Sequence, residues 1–269
     1  MDSSRTPDPS EADISSSSEP RHAAASQTFR VLTASQNTSA LVFSVFFGLH
    51  LASPLAASVF GGSGADKTMM IAREYYLPLE PLLVYAPLAI HLTSSLSKRA
   101  ILAYRTGRLP PRTSHIIAGY ALIPLVLPHI LIHRIIPQSS DYPISNLSPS
   151  ELGFDFVAWS VRQWPGWSAV GYLGLVGVGT WHAGVGIMKV VTWLRGWRSG
   201  IQKIGVEGKQ KRSVPKRRKI GLRGSLAALL AVVGVSLVRL HGEGKGVSTV
   251  MAKRYEAVYA RLPWSGMLR

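Results

Sequence analysis

The 269-residue sequence contains no cysteine. That absence excludes disulfides, thiolate metal sites, iron–sulfur clusters and the thioether attachment of a c-type haem, so any metal would rest on histidine or oxygen ligands. Acidic residues are scarce: 14 Asp and Glu stand against 30 Lys and Arg, for a formal charge of +16. Such an excess suits either nucleic acid or an anionic membrane surface. Also missing are a phosphate-binding Gly-Lys loop, a recognisable nucleophile–base motif and a soluble segment large enough to house a catalytic site. A non-enzyme is expected.

What is abundant is apolar sequence, 46% of the chain, gathered in runs rather than spread with a period. Five runs are long enough to cross about 30 Å of hydrocarbon. They are Ala40 to Phe60, Leu77 to Leu96, His115 to Pro137, Trp167 to Leu194, and the shorter Gly224 to Leu240, whose Gly224, Ala228, Ala231 and Gly234 suit close helix packing. The expected fold is therefore an all-α membrane protein. Residues 1–37, rich in Ser and Pro with too little apolar content to bury, read as a disordered tail. A bundle of five transmembrane helices occupies 38–243, and 244–269 form a short C-terminal segment. The tail lacks the order of a signal peptide, and its acids disfavour a cleaved mitochondrial presequence.

Charge sorts by side. The connection after the second run, "SKRAILAYRTGRLPPRTS", carries five cations and no acid, and the one after the fourth contains "GKQKRSVPKRRK". The other two connections are nearly balanced. With five crossings both basic loops share a side, which the positive-inside rule makes cytosolic, together with the N-terminal tail. Between hydrophobic spans the "KQKRSVPKRRK" stretch is a topology signal and a contact for acidic headgroups rather than a nucleic-acid patch.

Four histidines, His50, His91, His129 and His182, fall inside the first four runs, one on each. An ionisable residue inside a membrane helix normally faces the interior and has a partner there. Around His182, in "TWHAGVGIMK", the residues Gly171, Gly179 and Gly186 project within roughly 60° on the helix wheel, with Gly174 at the margin. Gly177 and Gly184 point elsewhere. The glycine face leaves a recess that could admit a porphyrin edge or another helix. His182 is thus the first candidate axial ligand of a b-type haem, with His50 and His91 as alternative partners at compatible depth. The competing reading makes each histidine an interhelical hydrogen-bonding residue. His50 and His91 also share a His-Leu-x-Ser-x-Leu pattern.

Five spans, histidines in the first four, "HLTSSLSKRAILAYR" and "WHAGVGIMKVVTWL" resemble the fungal mitochondrial outer-membrane adapter family whose members complement loss of the ER–mitochondria tether. The resemblance covers about residues 38 to 260. That family is in turn similar to the cytochrome b membrane anchors of succinate dehydrogenase and fumarate reductase, which bind haem b. Here Gly186-Ile187-Met188 stands where those anchors often have Gly-Ile-Arg followed by His. The resemblance implies a role in lipid homeostasis at organelle contacts. It also implies recruitment of a bridge-like, chorein-type lipid-transfer protein through a Pro-x-Pro motif in the cytosolic tail, for which Pro7-Asp8-Pro9 is the candidate. An extended, stiff Pro-x-Pro segment has little to lose in ordering when it docks. The alternative function is a haem-b protein with an electron-transfer or quinone-related role.

Overall fold

A computed structural model of the chain describes residues 9–198 and 216–263. The described residues are helical, with no strand among them. Helix α1 covers Pro9–Tyr76, α2 Ala86–Thr106, α3 Ser114–Ile130, α4 Phe154–Gln163, α5 Pro165–Arg198, α6 Lys216–Glu243 and α7 Thr249–Ala260. Helix α3 continues through a π turn, Leu131–Ile135, and a 3₁₀ turn, Ile136–Gln138.

Among the described residues four helical stretches are long and apolar enough to cross a membrane: Gln27–Leu79, Ser114–Gln138, Pro165–Gly196 and Gly221–Gly246. They correspond to the expected first, third, fourth and fifth runs. The expected second run, 77–96, is not among them. It is divided into a 3₁₀ turn at Leu77–Leu79, a π turn at Pro81–Tyr85 and then α2. Pro78, Pro81 and Pro87 explain the division, because each lacks the N–H that a continuous α-helix would bond.

The chain forms two compact units. Among the described residues, one gathers 9–44, 81–111 and 193–198. In it the His91 Nδ1–H donates to the carbonyl of Gln36, 3.2 Å away, and Lys98 donates to the same residue's side-chain oxygen at 3.1 Å. The α2 helix is thereby tied to α1 by two polar contacts on one residue.

The second unit gathers, among the described residues, 45–80, 112–192 and 216–263. Its organising feature is a break in α1. The sequence "FGGSG" reads as a loop, yet helix continues beyond it, interrupted only at Gly61, whose φ of 68° lies in the left-handed region that glycine tolerates. A break frees carbonyls on one side and amides on the other, and in a setting without water each must find a protein partner. Helix α6 supplies both. Arg239 Nη1 donates to the carbonyls of Ser58 and Val59, each at 2.8 Å, and Glu243 accepts from the Gly62 amide at 2.8 Å. Arg239 and Glu243 are four residues apart, one turn of α6, so one helix face closes both sides of the break. Ser236, one turn earlier, donates to the Pro54 carbonyl at 2.7 Å.

Beyond the break, residues 62–76 carry the groups that build a cap at this end of the unit. Asp66 accepts from the Phe154 amide at 2.7 Å, which satisfies a free N–H at the start of α4. Arg73 donates to the carbonyl of Leu152 at 3.0 Å and to that of Pro149. Helix α4 packs on α6, and Ala57, Ala65, Phe154, Ala158 and Leu240 form a buried cluster between them and α1. Helix α7 starts at Ser248, whose hydroxyl accepts from the Met251 amide at 3.3 Å. It lays Tyr255, Val258 and Tyr259 against Ile144, Phe156 and Trp159, forming a second buried cluster.

Removing either charged partner of the α1 break leaves backbone groups unbonded: the part-buried Gly62 amide without Glu243, and the more exposed Ser58 and Val59 carbonyls without Arg239. We expect Glu243→Ala to destabilise the protein by about 2 kcal/mol and Arg239→Ala by about 1 kcal/mol or less, read as thermal unfolding in detergent. Val238→Ala, at a side chain that is 75% exposed beside them, should be close to neutral. Equal melting of all three variants would show that the break needs no closure.

Candidate functional site

Five histidines of the second unit fall into two groups, while the sixth, His241, lies apart with its Nδ1 3.4 Å from the Val161 carbonyl. In the first, the His115 and His182 rings stack face to face, 4.2 Å between centroids and 9° between planes. His182 Nδ1–H donates to the His115 carbonyl at 3.0 Å. The glycines explain how the rings get so close. A Cβ on Gly119 of α3 would lie 3.1 Å from the His182 ring, and one on Gly186 of α5 would lie 3.4 Å from the His115 ring. Each imidazole therefore sits over a glycine of the opposite helix.

Two more glycines of this α5 face are covered in the same way, while Gly171, expected on the same face, has nothing within 4 Å. Leu125 of α3 packs over Gly174, and Leu122 with Phe47 of α1 packs over Gly179. Gly177 and Gly184, which point elsewhere on the wheel, receive Leu230 and Leu222 of α6. Helix α5 is thus flanked by α3 on one glycine face and by α6 on another, as suits close approach of membrane helices.

In the second group, His50 packs edge to face on His129 at 5.7 Å and stacks on Phe46 at 5.2 Å. His129 is 4.5 Å from His133, whose Nε2 shares a 3.3 Å hydrogen bond with the Tyr172 hydroxyl. His133 also meets Phe156 of α4 edge-on at 5.2 Å, so this polar line runs from the bundle interior to the cap. At the same end Glu80 and Arg134 form a bidentate ion pair, with contacts of 2.6 to 3.0 Å. Nothing local in the sequence pairs them, since they are 54 residues apart.

These positions decide how the candidate ligands fit a haem. Axial ligands must aim ring nitrogens edge-on at iron from opposite faces of a porphyrin. His182 is instead stacked on His115, and His50 is in ring contact with His129 and Phe46. The recess beside His182 that a porphyrin edge would enter is filled by His115, Leu122, Leu125 and Phe47. The residues present do not fit the group. His91 lies in the first unit, bonded to Gln36. Among the described residues no cluster of three or more His, Asp or Glu side chains is arranged to hold a metal ion. Pro7 and the stretch "GKQKRSV" lie outside the described residues, and Pro9 is the first residue of α1.

The cap holds a set of polar contacts that hydropathy passes over. Arg254 donates to the Ile144 carbonyl at 2.9 and 3.0 Å and pairs with Glu151 at 2.6 Å, while the Tyr255 hydroxyl donates to the Glu151 carbonyl at 3.0 Å. A cavity of about 310 Å³ opens beside them, lined by Asp66, Met69, Arg73, Glu151, Met251 and Tyr255 among others. Burial pushes the Tyr255 phenol up to about 12. The Ser148 amide and the Arg254 guanidinium hold the Glu151 carboxyl below the usual carboxylate range. A signal for α7 exists in the sequence: Ser248 at an N-cap position, then Met251, Tyr255, Val258, Tyr259 and Leu262 at helical spacing.

Long apolar helices, interior histidines seated on glycines and a polar cap define a helical, multi-pass membrane protein. Residues 124–244, from the middle of α3 to the end of α6, match the family model for the transmembrane domain of MDM10-complementing protein 1. Comparison with curated proteins and with solved structures gives no match.

Two expectations follow. Protein purified from haem-replete cells should show no Soret band, and His182→Ala should lower its thermal stability without changing its colour. A Soret band that disappears in His182→Ala would overturn the packing role. For the cap, the folded Tyr255 keeps its proton to about pH 12 while an unfolded tyrosine loses it near pH 10. Its contribution is therefore whole below about pH 10 and lost as pH rises toward the folded value. Glu151 acts in the opposite sense: its contribution is present above the ordinary carboxylate range and lost as pH falls through its lowered value. Stability measured against pH should show a plateau between these limits, and Tyr255→Phe should flatten the alkaline fall.

Proposed function

We propose that the chain is a member of the MDM10-complementing protein 1 family and a multi-pass adapter of the mitochondrial outer membrane. In this reading it binds rather than catalyses, and it recruits a bridge-like, chorein-type lipid-transfer protein through Pro7-Asp8-Pro9 in an N-terminal tail that faces the cytosol. The observation that carries the reading is the match of residues 124–244 to the family's transmembrane domain. It takes in both glycine faces of α5, the histidines His129, His133 and His182, and the Arg239–Glu243 pair. Packing of the interior by the chain's own side chains is in keeping with a membrane scaffold whose work is done on its exposed segments.

A fifth crossing belongs to the same reading, and the second unit supports it. Glu80 is paired with Arg134, near the cap end of α3. Ser114, where α3 begins, is 20 residues earlier and so roughly 30 Å away along the helix. Residues 81–113 must return the chain over that distance. The 21 residues of α2 cover about 30 Å, a bilayer's hydrocarbon thickness. Segments 61–80 and 139–164, in which acids slightly outnumber cations, then share one side with 244–263, which carries four cations and one acid, while the two more basic loops share the other. That arrangement puts the C-terminus opposite the cytosol.

Replacing Pro7 and Pro9 together by alanine should abolish recruitment of the cytosolic lipid-transfer protein to mitochondria, scored by microscopy and fractionation, with the variant still in the membrane. Undiminished recruitment would remove the motif from the reading. In the same cells, protease added to intact mitochondria should clip an N-terminal tag and spare a C-terminal one, and loss of both tags would argue for an even number of crossings.

A further inference from the structure

The first unit carries a surface that the adapter reading leaves unused. Helix α2 ends in "AYRTGRLP". Tyr104 is 92% exposed and Leu109 79% exposed, and the guanidinium groups of Arg105 and Arg108 stand exposed between them. Residues 81–111 contain no Asp or Glu, so nothing on this stretch neutralises them.

The turn is ordered before anything docks on it. Gly107 closes α2 in the left-handed conformation, φ 64°. The Thr106 hydroxyl accepts from the Arg108 amide at 3.3 Å and donates to the Leu102 carbonyl at 2.8 Å, with the Arg108 carbonyl a second acceptor at 3.1 Å. Arg99 reaches across the turn to donate to the Pro110 carbonyl at 3.0 Å. Two apolar side chains and two cations are therefore held outward on a fixed scaffold, which lowers the ordering cost of binding.

Their chemistry selects the environment. A tyrosine ring and a leucine are disfavoured in water, and a guanidinium is disfavoured in hydrocarbon. Only the headgroup layer accommodates all four side chains at once, with the ring at the interface and the apolar tip below it. The two guanidinium forks match phosphate oxygens there, and a net positive turn without acids favours anionic over zwitterionic lipid.

We infer that Tyr104, Arg105, Arg108 and Leu109 form a lipid-reading turn: Tyr104 and Leu109 dip into the chain's own membrane while Arg105 and Arg108 bind anionic phospholipid headgroups. The adjacent leaflet is thereby enriched in acidic lipid. The inference needs neither the Pro-x-Pro motif nor a protein partner, so it stands or falls separately from the adapter reading.

The absence of native cysteine makes the test direct, because a single introduced cysteine can be labelled alone. The full-length Leu109→Cys protein, carrying a nitroxide, is placed in nanodiscs of phosphatidylcholine alone or doped with phosphatidylinositol. Collision of the label with oxygen and with a water-soluble nickel chelate reports its depth. We expect oxygen to dominate in the doped discs, and the added substitutions Arg105→Gln and Arg108→Gln to return the label to nickel access. Native mass spectrometry of wild type should show retained phosphatidylinositol, with about fivefold weaker retention for each arginine removed. High salt should weaken retention as well. A nitroxide at Tyr104→Cys provides a second position should the first substitution disturb the turn. A label equally open to nickel in both lipid mixtures, or retention unchanged in the double-glutamine variant, overturns the inference. So does a label shielded only after an acidic cytosolic protein is added, since that outcome makes the turn a protein contact.

Discussion

The second unit depends on how the backbone groups freed at Gly61 are satisfied. A helix broken among apolar neighbours exposes carbonyls and amides that water would otherwise bond, and each one left alone is destabilising by an amount comparable to a sizeable part of a protein's net stability. Arg239 and Glu243 answer both signs of that demand from a single turn of α6. The position of α6 against α1 follows, and so does that of α4, which packs on α6 and draws its first amide bond from Asp66 just past the break. The same continuation of α1 brings Arg73 to the carbonyls of the 149–152 turn. One glycine conformation thus propagates into the cap through a chain of hydrogen bonds.

Helix α5 shows a second kind of constraint, set by volume rather than by hydrogen bonding. Its glycines create two shallow faces, and neighbouring helices fill them with imidazole, leucine and phenylalanine. The reciprocal seating of His182 over Gly119 and His115 over Gly186 gives each ring a flat contact, and the His115 carbonyl gives His182 a hydrogen bond. An interior packed in this way is a rigid frame. Variation in what the chain does then falls to its termini and its loops.

Much of this was legible from the residues. Hydropathy located four membrane helices, and the helical wheel placed Gly171, Gly179 and Gly186 on the His182 side with Gly177 and Gly184 elsewhere; contacts with α3 and α6 match this for all but Gly171, which meets nothing within 4 Å. What fills a glycine face was not legible, because periodicity describes one helix and the occupant comes from another. Hence the sequence left two occupants open beside His182, a porphyrin edge or another helix, and here His115 and Leu122 of α3 lie against that face. The helix from Gly62 to Tyr76 was also hidden. "GGSGAD" has the composition of a loop, and only the remote Glu243 and Asp66 contacts make its helical path worthwhile. In "LPLEPLLVYAP" hydropathy suggested one rod, while three prolines divide it into two turns and a helix. The cap was missed for a different reason. Met251, Tyr255, Val258 and Tyr259 do keep helical spacing, but on a segment too short and polar to register among long apolar runs.

The closure of the α1 break also orders events in time. Glu243 follows Gly62 by 181 residues, and Arg239 follows Ser58 by the same interval. At a synthesis rate of roughly 5 to 20 residues per second, the first helix waits about 10 to 40 s before its partners leave the ribosome. Through that interval the exposed carbonyls near Gly61 need water or a holding protein. The break in α1 therefore closes only once α6 is in place, and a truncation before Arg239 would strand the first helix in an incompletely bonded state.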